Sequence, residues 1–186
     1  MSALTIYRRD GSAAAPPVTD YTAIAQTLGE LGVQFERWEA GRPLAQDASA
    51  DDVLAAYEDS IRALSDKFDF QSVDVVALRP DSPQKAEMRQ KFLAEHTHGD
   101  FEIRFFVDGR GLFYLHIGDK VYLVMCEKGD LISVPANTTH WFDMGENPDF
   151  KCIRLFCIPD GWVGEFTGSE IAPRLPSFDE FVAQSA

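Results

Sequence analysis

Between Phe101 and Ile158 the chain is cut into short β-branched and aromatic runs by turn signals at Asp108-Gly109, Gly118-Asp119, Lys128-Gly129 and Gly145-Glu146-Asn147-Pro148. Glycine next to a small polar residue supplies the backbone freedom of a tight turn, so this texture predicts antiparallel hairpins. Helical spacing falls mostly ahead of it. Many short strands preceded by helices indicate a mainly β fold, a jelly-roll sandwich or barrel, rather than a parallel α/β sheet. The expected organisation is one domain over residues 1–186, with a helical or mixed part over about 1–95 and a β-barrel core over about 96–160.

Ahead of the barrel, Leu4–Tyr7 reads as a short strand, and Asp20 is placed to cap a helix with an apolar stripe of Ile24, Ala25, Leu28 and Leu31 that stops at Gly32. A strand around Val33–Trp38 follows. From Asp51, the residues Val53, Leu54, Tyr57, Ile61, Leu64 and Phe68 recur at helical spacing and predict the longest helix of the chain. Val73–Leu78 reads as a strand, and Asp81-Ser82-Pro83 as the start of a third helix that runs to Leu93 and delivers the chain to His96. A last short helix is expected over Ser177–Val182. There is no internal repeat and no low-complexity linker.

The strand run carries an unusual set of donors, His96-x-His98-x-x-x-Glu102 and, after a long gap, His140. Side chains alternate across a strand, so His96, His98, Glu102, Arg104 and Phe106 share one face if the extended backbone holds through the Gly99-Asp100 bend. A His-x-His pair alone is more often structural than metal-binding. Adding Glu102 and His140 reverses that preference. Three neutral imidazoles and one carboxylate leave a divalent ion a net charge near +1 and, in octahedral geometry, two open positions for a bidentate ligand. Nitrogen and oxygen donors without thiolate fit Fe(II), Ni(II), Mn(II), Co(II) or Zn(II) alike. His116 has no acidic or histidine partner at ligand spacing and reads as structural.

Around this set, Arg104 lies one pleat beyond Glu102, roughly 7 Å along the strand, within reach of a metal-bound anion. It reads equally as a salt-bridge partner. Phe106 and Phe142 have ligand parity and form either an apolar substrate wall or barrel core, and Phe92 approaches from the end of the third helix. Trp162, after Pro159-Asp-Gly161, either folds over a pocket mouth or packs. Glu95 is a general base or an orienting partner of a ligand, against the plainer reading of a solvated carboxylate at a helix end.

Composition narrows the partners. A formal charge of -13 and a sequence pI of about 4.6, with no run of Lys and Arg, argue against nucleic acid or an anionic membrane surface. Cys126, Cys152 and Cys157 are odd in number and lack CxxC spacing, so buried free thiols in a reducing compartment are expected. The start of the chain lacks an apolar signal core, and no run approaches the roughly 18 uncharged residues of a membrane span. The expected location is the cytoplasm.

The segment Glu95-His-Thr-His-Gly-Asp-Phe-Glu-Ile-Arg-Phe-Phe106 resembles the first metal motif of the acireductone dioxygenase family, cupins of methionine salvage, and Leu131-Ile-Ser-Val-Pro-Ala-Asn-Thr-Thr-His-Trp-Phe-Asp-Met-Gly145 resembles the second. The likeness covers most of the chain from Pro83 to Gly168. Gln90, Asn137 and Met144 depart from the general cupin pattern, and Phe101 stands where this family often has an acidic residue. The resemblance implies a cupin-type jelly-roll barrel in which His96, His98, Glu102 and His140 hold one Fe(2+) or Ni(2+) per chain. It further implies an enediol substrate, 1,2-dihydroxy-5-(methylthio)pent-1-en-3-one, that reacts with O2. Arg104 would favour the substrate dianion, and Phe92, Phe106, Phe142 and Trp162 would stand on the substrate side. The iron form would give 4-methylthio-2-oxobutanoate and formate, the nickel form 3-(methylthio)propanoate, formate and CO. A monomer is expected. The alternatives are a metal-dependent cupin sugar-phosphate isomerase, for which the sequence offers little phosphate chemistry beyond Arg104, and a non-catalytic cupin binding module.

Overall fold

The computed structural model describes residues 1–184 as a mainly β, cupin-type jelly roll with helices packed on its outside. Ten strands are present among the described residues: β1 (Ala3–Arg8), β2 (Gln34–Arg37), β3 (Ser72–Leu78), β4 (His96–Thr97), β5 (Glu102–Ile117), β6 (Lys120–Glu127), β7 (Asp130–Val134), β8 (Thr139–Asp143), β9 (Phe150–Phe156) and β10 (Glu165–Phe166). One face of the barrel runs β1-β6-β5-β8-β4-β10 and the other β2-β7-β5-β9-β3, all pairs antiparallel. Strands from before residue 96 are thus part of the barrel: β1 pairs with β6, β2 with β7 and β3 with β9.

β5 departs from the expected hairpin. Asp108-Gly109 is no turn but the site of a β-bulge, where the register against β9 shifts between Phe106 and Asp108. The first half of β5 pairs with β7 and β9, the second with β6 and β8, so one bent strand belongs to both sheets. Gly109 has φ +66°, and a Cβ there would lie 1.9 Å from the Asp149 carbonyl oxygen, so only glycine fits the bend.

The helices are α1 (Tyr21–Gly29), α2 (Ala50–Ala56), α3 (Glu58–Lys67), α4 (Lys85–Leu93) and α5 (Phe178–Gln184). Asp20 caps α1, its carboxylate accepting from the Ala23 N–H at 2.9 Å. The long helix expected from Asp51 is two helices. Ser49 and Asp52 form a capping box for α2, and the axis breaks at Tyr57, where φ -111° and ψ 19° leave the helical region. The buried Tyr57 ring meets Phe105 edge-on with centroids 5.5 Å apart, a tertiary contact that overrides the helical periodicity. α4 begins at Lys85, two residues later than Pro83 suggests, because Ser82 and its neighbours form a turn first.

Three apolar layers hold these parts. Phe106, Phe113, Phe142, Phe150, Leu115, Val124 and Cys152 fill the barrel between the sheets. Leu112, Tyr114, Trp141 and Leu123 turn outward beneath Phe178 and Phe181 of α5. Ile103, Phe105, Val107, Ile153 and Leu155 turn outward on the other sheet, beneath Val53, Tyr57 and Leu64. Each fully buried side chain of this size contributes about 1.5–3 kcal/mol, so the covering helices are integral to stability. Cys126 and Cys152 are buried and Cys157 half-buried, all as free thiols, and burial pushes the Cys152 thiol up to about 11. Among the described residues no helix is long and apolar enough to cross a membrane.

Candidate metal centre

The two strands that carry histidines are paired so that His96 of β4 faces His140 of β8 in register. Glu102 opens β5 and points between the sheets, as its parity with the buried Phe106 requires. His98 lies just past β4, in the bend that Asp100 holds together: its carboxylate accepts from the N–H groups of Phe101 (2.7 Å), Cys157 (2.6 Å) and Ile158 (2.9 Å). The His98 carbonyl accepts from Asn137 N–H at 2.7 Å. Asn137 has φ +62°, which explains why this position tolerates a residue other than the glycine common in cupins: asparagine enters the left-handed region readily.

One ligand atom from each of His96, His98, Glu102 and His140 lies within 4.8 Å of the others, and all four residues are buried. Each histidine donates Nδ1–H to a backbone carbonyl, His96 to Ala94 (2.7 Å), His98 to Val163 (3.0 Å) and His140 to Thr138 (2.7 Å). A carbonyl only accepts, so Nδ1 carries a proton in each and Nε2 is the ring nitrogen that faces the centre. Glu102 Oε2 is 3.0 Å from His140 Nε2 and 3.4 Å from His98 Nε2. Burial and the neighbouring His140 hold His96 down to about 4, so this imidazole is neutral. Burial works against ionisation of Glu102, but the Arg104 guanidinium and the imidazoles outweigh it and keep the carboxyl well below its ordinary range. A buried, ionised carboxylate beside oriented imidazoles fits a divalent ion of nitrogen and oxygen preference.

Arg104 forms the salt bridge that was one of its two readings. Its Nε donates to Glu102 Oε1 at 2.5 Å, yet its buried Nη1 has no hydrogen-bond partner. Its guanidinium carbon stands 4.5 Å from the ring centroid of Phe142, 5.0 Å from that of Phe113 and 5.4 Å from that of Phe92, so apolar faces hold a charge whose free donors can serve only a ligand. Arg104, His96 and His98 border a cavity of about 300 Å³ whose wall includes Met88, Lys91, Phe92, Arg154, Trp162 and Phe166. Phe92 and Trp162 therefore reach the cavity. Phe142 lies beneath Arg104, and Phe106 lies deeper, against Phe142 and Phe150. Glu95 is buried, accepting from Thr167 Oγ1 at 2.7 Å and sitting 2.8 Å from His116 Nδ1. His116 thus has the acidic partner that its local sequence does not show.

Sequence reasoning did not single out Arg154, which faces Arg104 across the β5–β9 pair and is tied to Asp74 at 2.9 and 2.5 Å. No local spacing signals that pairing. Met88 was findable, since it precedes Phe92 by four residues on one helix face. Phe166 arrives through β10, too short to read as a strand.

A jelly-roll barrel with three oriented histidines and one carboxylate converging between its sheets defines a cupin-type metalloenzyme scaffold. The ARD/ARD' family model matches residues 3–164, reaching well ahead of the motifs at Glu95 and Leu131. The chain is 54% identical over 186 residues to the acireductone dioxygenase of Methylococcus capsulatus, covering 100% of both chains. It is 55% identical over 182 residues to that of Aquifex aeolicus, covering 98% of this chain and 99% of the other. Among solved structures, an acireductone dioxygenase from Bacillus anthracis with a cadmium ion in its active center matches with TM-score 0.79 and 28% identity, over 89% of this chain and 98% of that one. The chain belongs to the ARD/ARD' family and is an enzyme, a dioxygenase.

Proposed function

We propose that the chain, acting as a single cytoplasmic domain and a monomer, cleaves 1,2-dihydroxy-5-(methylthio)pent-1-en-3-one with O2 in methionine salvage. One Fe(2+) or Ni(2+) per chain is held by His96, His98, Glu102 and His140. When bound, the ion would supply Lewis acidity to the enediol substrate. The observation that carries the reading is the unpartnered Nη1 of Arg104, buried beside Glu102 on the cavity wall that also carries His96 and His98.

Arg104 donates to an enediol oxygen and, by its fixed charge, favours the dianion over the monoanion. Its bond to Glu102 keeps the guanidinium from turning away, so the positive charge is in place before substrate arrives. Phe92 and Phe142 hold the arginine in a dry setting and, with Trp162 at the mouth, exclude water from an electron-rich substrate. Phe106 backs Phe142. Glu95 positions the strand that carries His96 through Thr167 and His116. With iron the products are 4-methylthio-2-oxobutanoate and formate; with nickel, 3-(methylthio)propanoate, formate and CO.

The test is dioxygen uptake by metal-stripped protein reloaded anaerobically with Fe(II), then supplied with the synthetic enediol and air, with products identified by mass spectrometry. Uptake with formate and the 2-oxo acid supports the reading, and a Ni(II) repeat should release CO. Metal-loaded protein with no uptake above the spontaneous rate would overturn it and favour an isomerase or binding module.

A further inference from the structure

A second cavity, of about 320 Å³, opens on the other side of the β5–β9 pair, where Arg42, Arg79, Lys128 and Lys151 converge with Asp108. Lys151 is only 2% exposed, yet among the described residues its ammonium has neither an ion pair nor a hydrogen bond. Asp108, its register partner across the sheet, is engaged elsewhere: one carboxylate oxygen accepts from Gly109 N–H at 3.0 Å and the other from Arg79 Nη2 at 3.3 Å. Arg79 also pairs with Asp149. Arg42 has only an exposed contact of 3.9 Å to Asp59, and the Lys128 side chain has no counterion.

The Lys151 side chain is buried along its length and, with the exposed Arg42 and Lys128, brings three cations without close counterions to one opening in a chain of net charge -13. Strand parity separates this cavity from the metal centre. Lys151 faces outward with Ile153 and Leu155, while Cys152 and Arg154 face the barrel interior. Along β5, Asp108 is about 20 Å from Glu102.

We propose that this cavity binds a small phosphate-class oxyanion, gripped by Lys151 and Arg42 with Lys128 at the rim, and that Arg79 shapes its wall. Several cations suit the divalent charge of phosphate better than a single carboxylate, and the volume exceeds that of the free anion, leaving room for a small monoester.

Isothermal titration of the metal-loaded protein with inorganic phosphate and with glycerol phosphate, at ionic strength matched with chloride, tests this. Saturable binding of about one anion per chain is expected, weakened at least about tenfold in Lys151→Met and a few-fold in Arg42→Gln. Thermal midpoints should rise by about 3–6 °C at roughly ten times Kd in the wild type and not in Lys151→Met. Equal affinities would assign free phosphate and a tighter monoester a phosphorylated metabolite; both support the site. Absence of saturable binding overturns it. So does affinity unchanged by Lys151→Met, which would place the anion at the metal centre. If Lys151→Met does not fold by circular dichroism, Arg42→Gln combined with Lys128→Gln decides on the same criterion.

Discussion

Arg104 is the residue in which the sequence left two readings open, and the geometry accommodates both, one nitrogen on Glu102 and another unpartnered. Arg104→Ala is therefore expected to leave metal content near wild type, because it removes no ligand atom, while lowering kcat/KM by about 100-fold or more. Metal analysis beside oxygen-uptake kinetics checks this, and unchanged turnover would remove its assigned role. The ligand set was legible at this scale because three of its four members lie within seven residues and strand parity carries the rest. Glu95 and His116 show the limit. They are 21 residues apart and meet only because β5 passes beside the residues ahead of β4, a proximity no local spacing encodes.

Among the elements, the strand-and-turn texture was readable, but the use of one turn was not. Asp108-Gly109 has the composition of a hairpin turn, and what makes it a bulge is the strand β9 lying against it. Gly109→Ala should cost about 2–4 kcal/mol in urea unfolding, since any Cβ meets the Asp149 backbone and the left-handed φ adds strain. The Tyr57 break has the same origin: helical periodicity extends through it, and the contact with Phe105 stops the helix. Asp143, at the end of β8, ties three elements together. Its fully buried carboxylate accepts from Arg89 of α4 at 2.8 and 3.1 Å and from the N–H groups of Gly145 (3.0 Å) and Phe178 (2.9 Å). Burial opposes its ionisation, but Arg89 and the two N–H donors prevail and lower its folded pKa. A depressed carboxylate stabilises the fold fully above its unfolded pKa of about 3.9 and loses that contribution as pH falls towards the folded value. Urea midpoints should thus fall below about pH 4 in the wild type, and Asp143→Asn should start lower and show a shallower decline.

For the whole molecule, the four donors come from both sheets, so a bound ion should stabilise the native state by mass action. Stripping the metal is expected to lower the thermal midpoint by several degrees, about 2–4 °C for each kcal/mol of linkage. Calorimetry of apo and loaded protein checks this, and His96→Ala should abolish the difference. The cations around Lys151 are the global counterpart of what spacing cannot show. Arg42, Arg79, Lys128 and Lys151 come from four separate segments, so a chain without any basic run still gathers positive charge at one place.

The pairing of His96 with His140 also orders events in time. Residues 44 positions apart must be brought side by side before all four donors exist as a set, so long-range strand pairing completes the site. Until then the chain offers only the three donors of its His96–Glu102 segment. In the finished fold these donors are reached through the mouth beside Trp162 and Phe166.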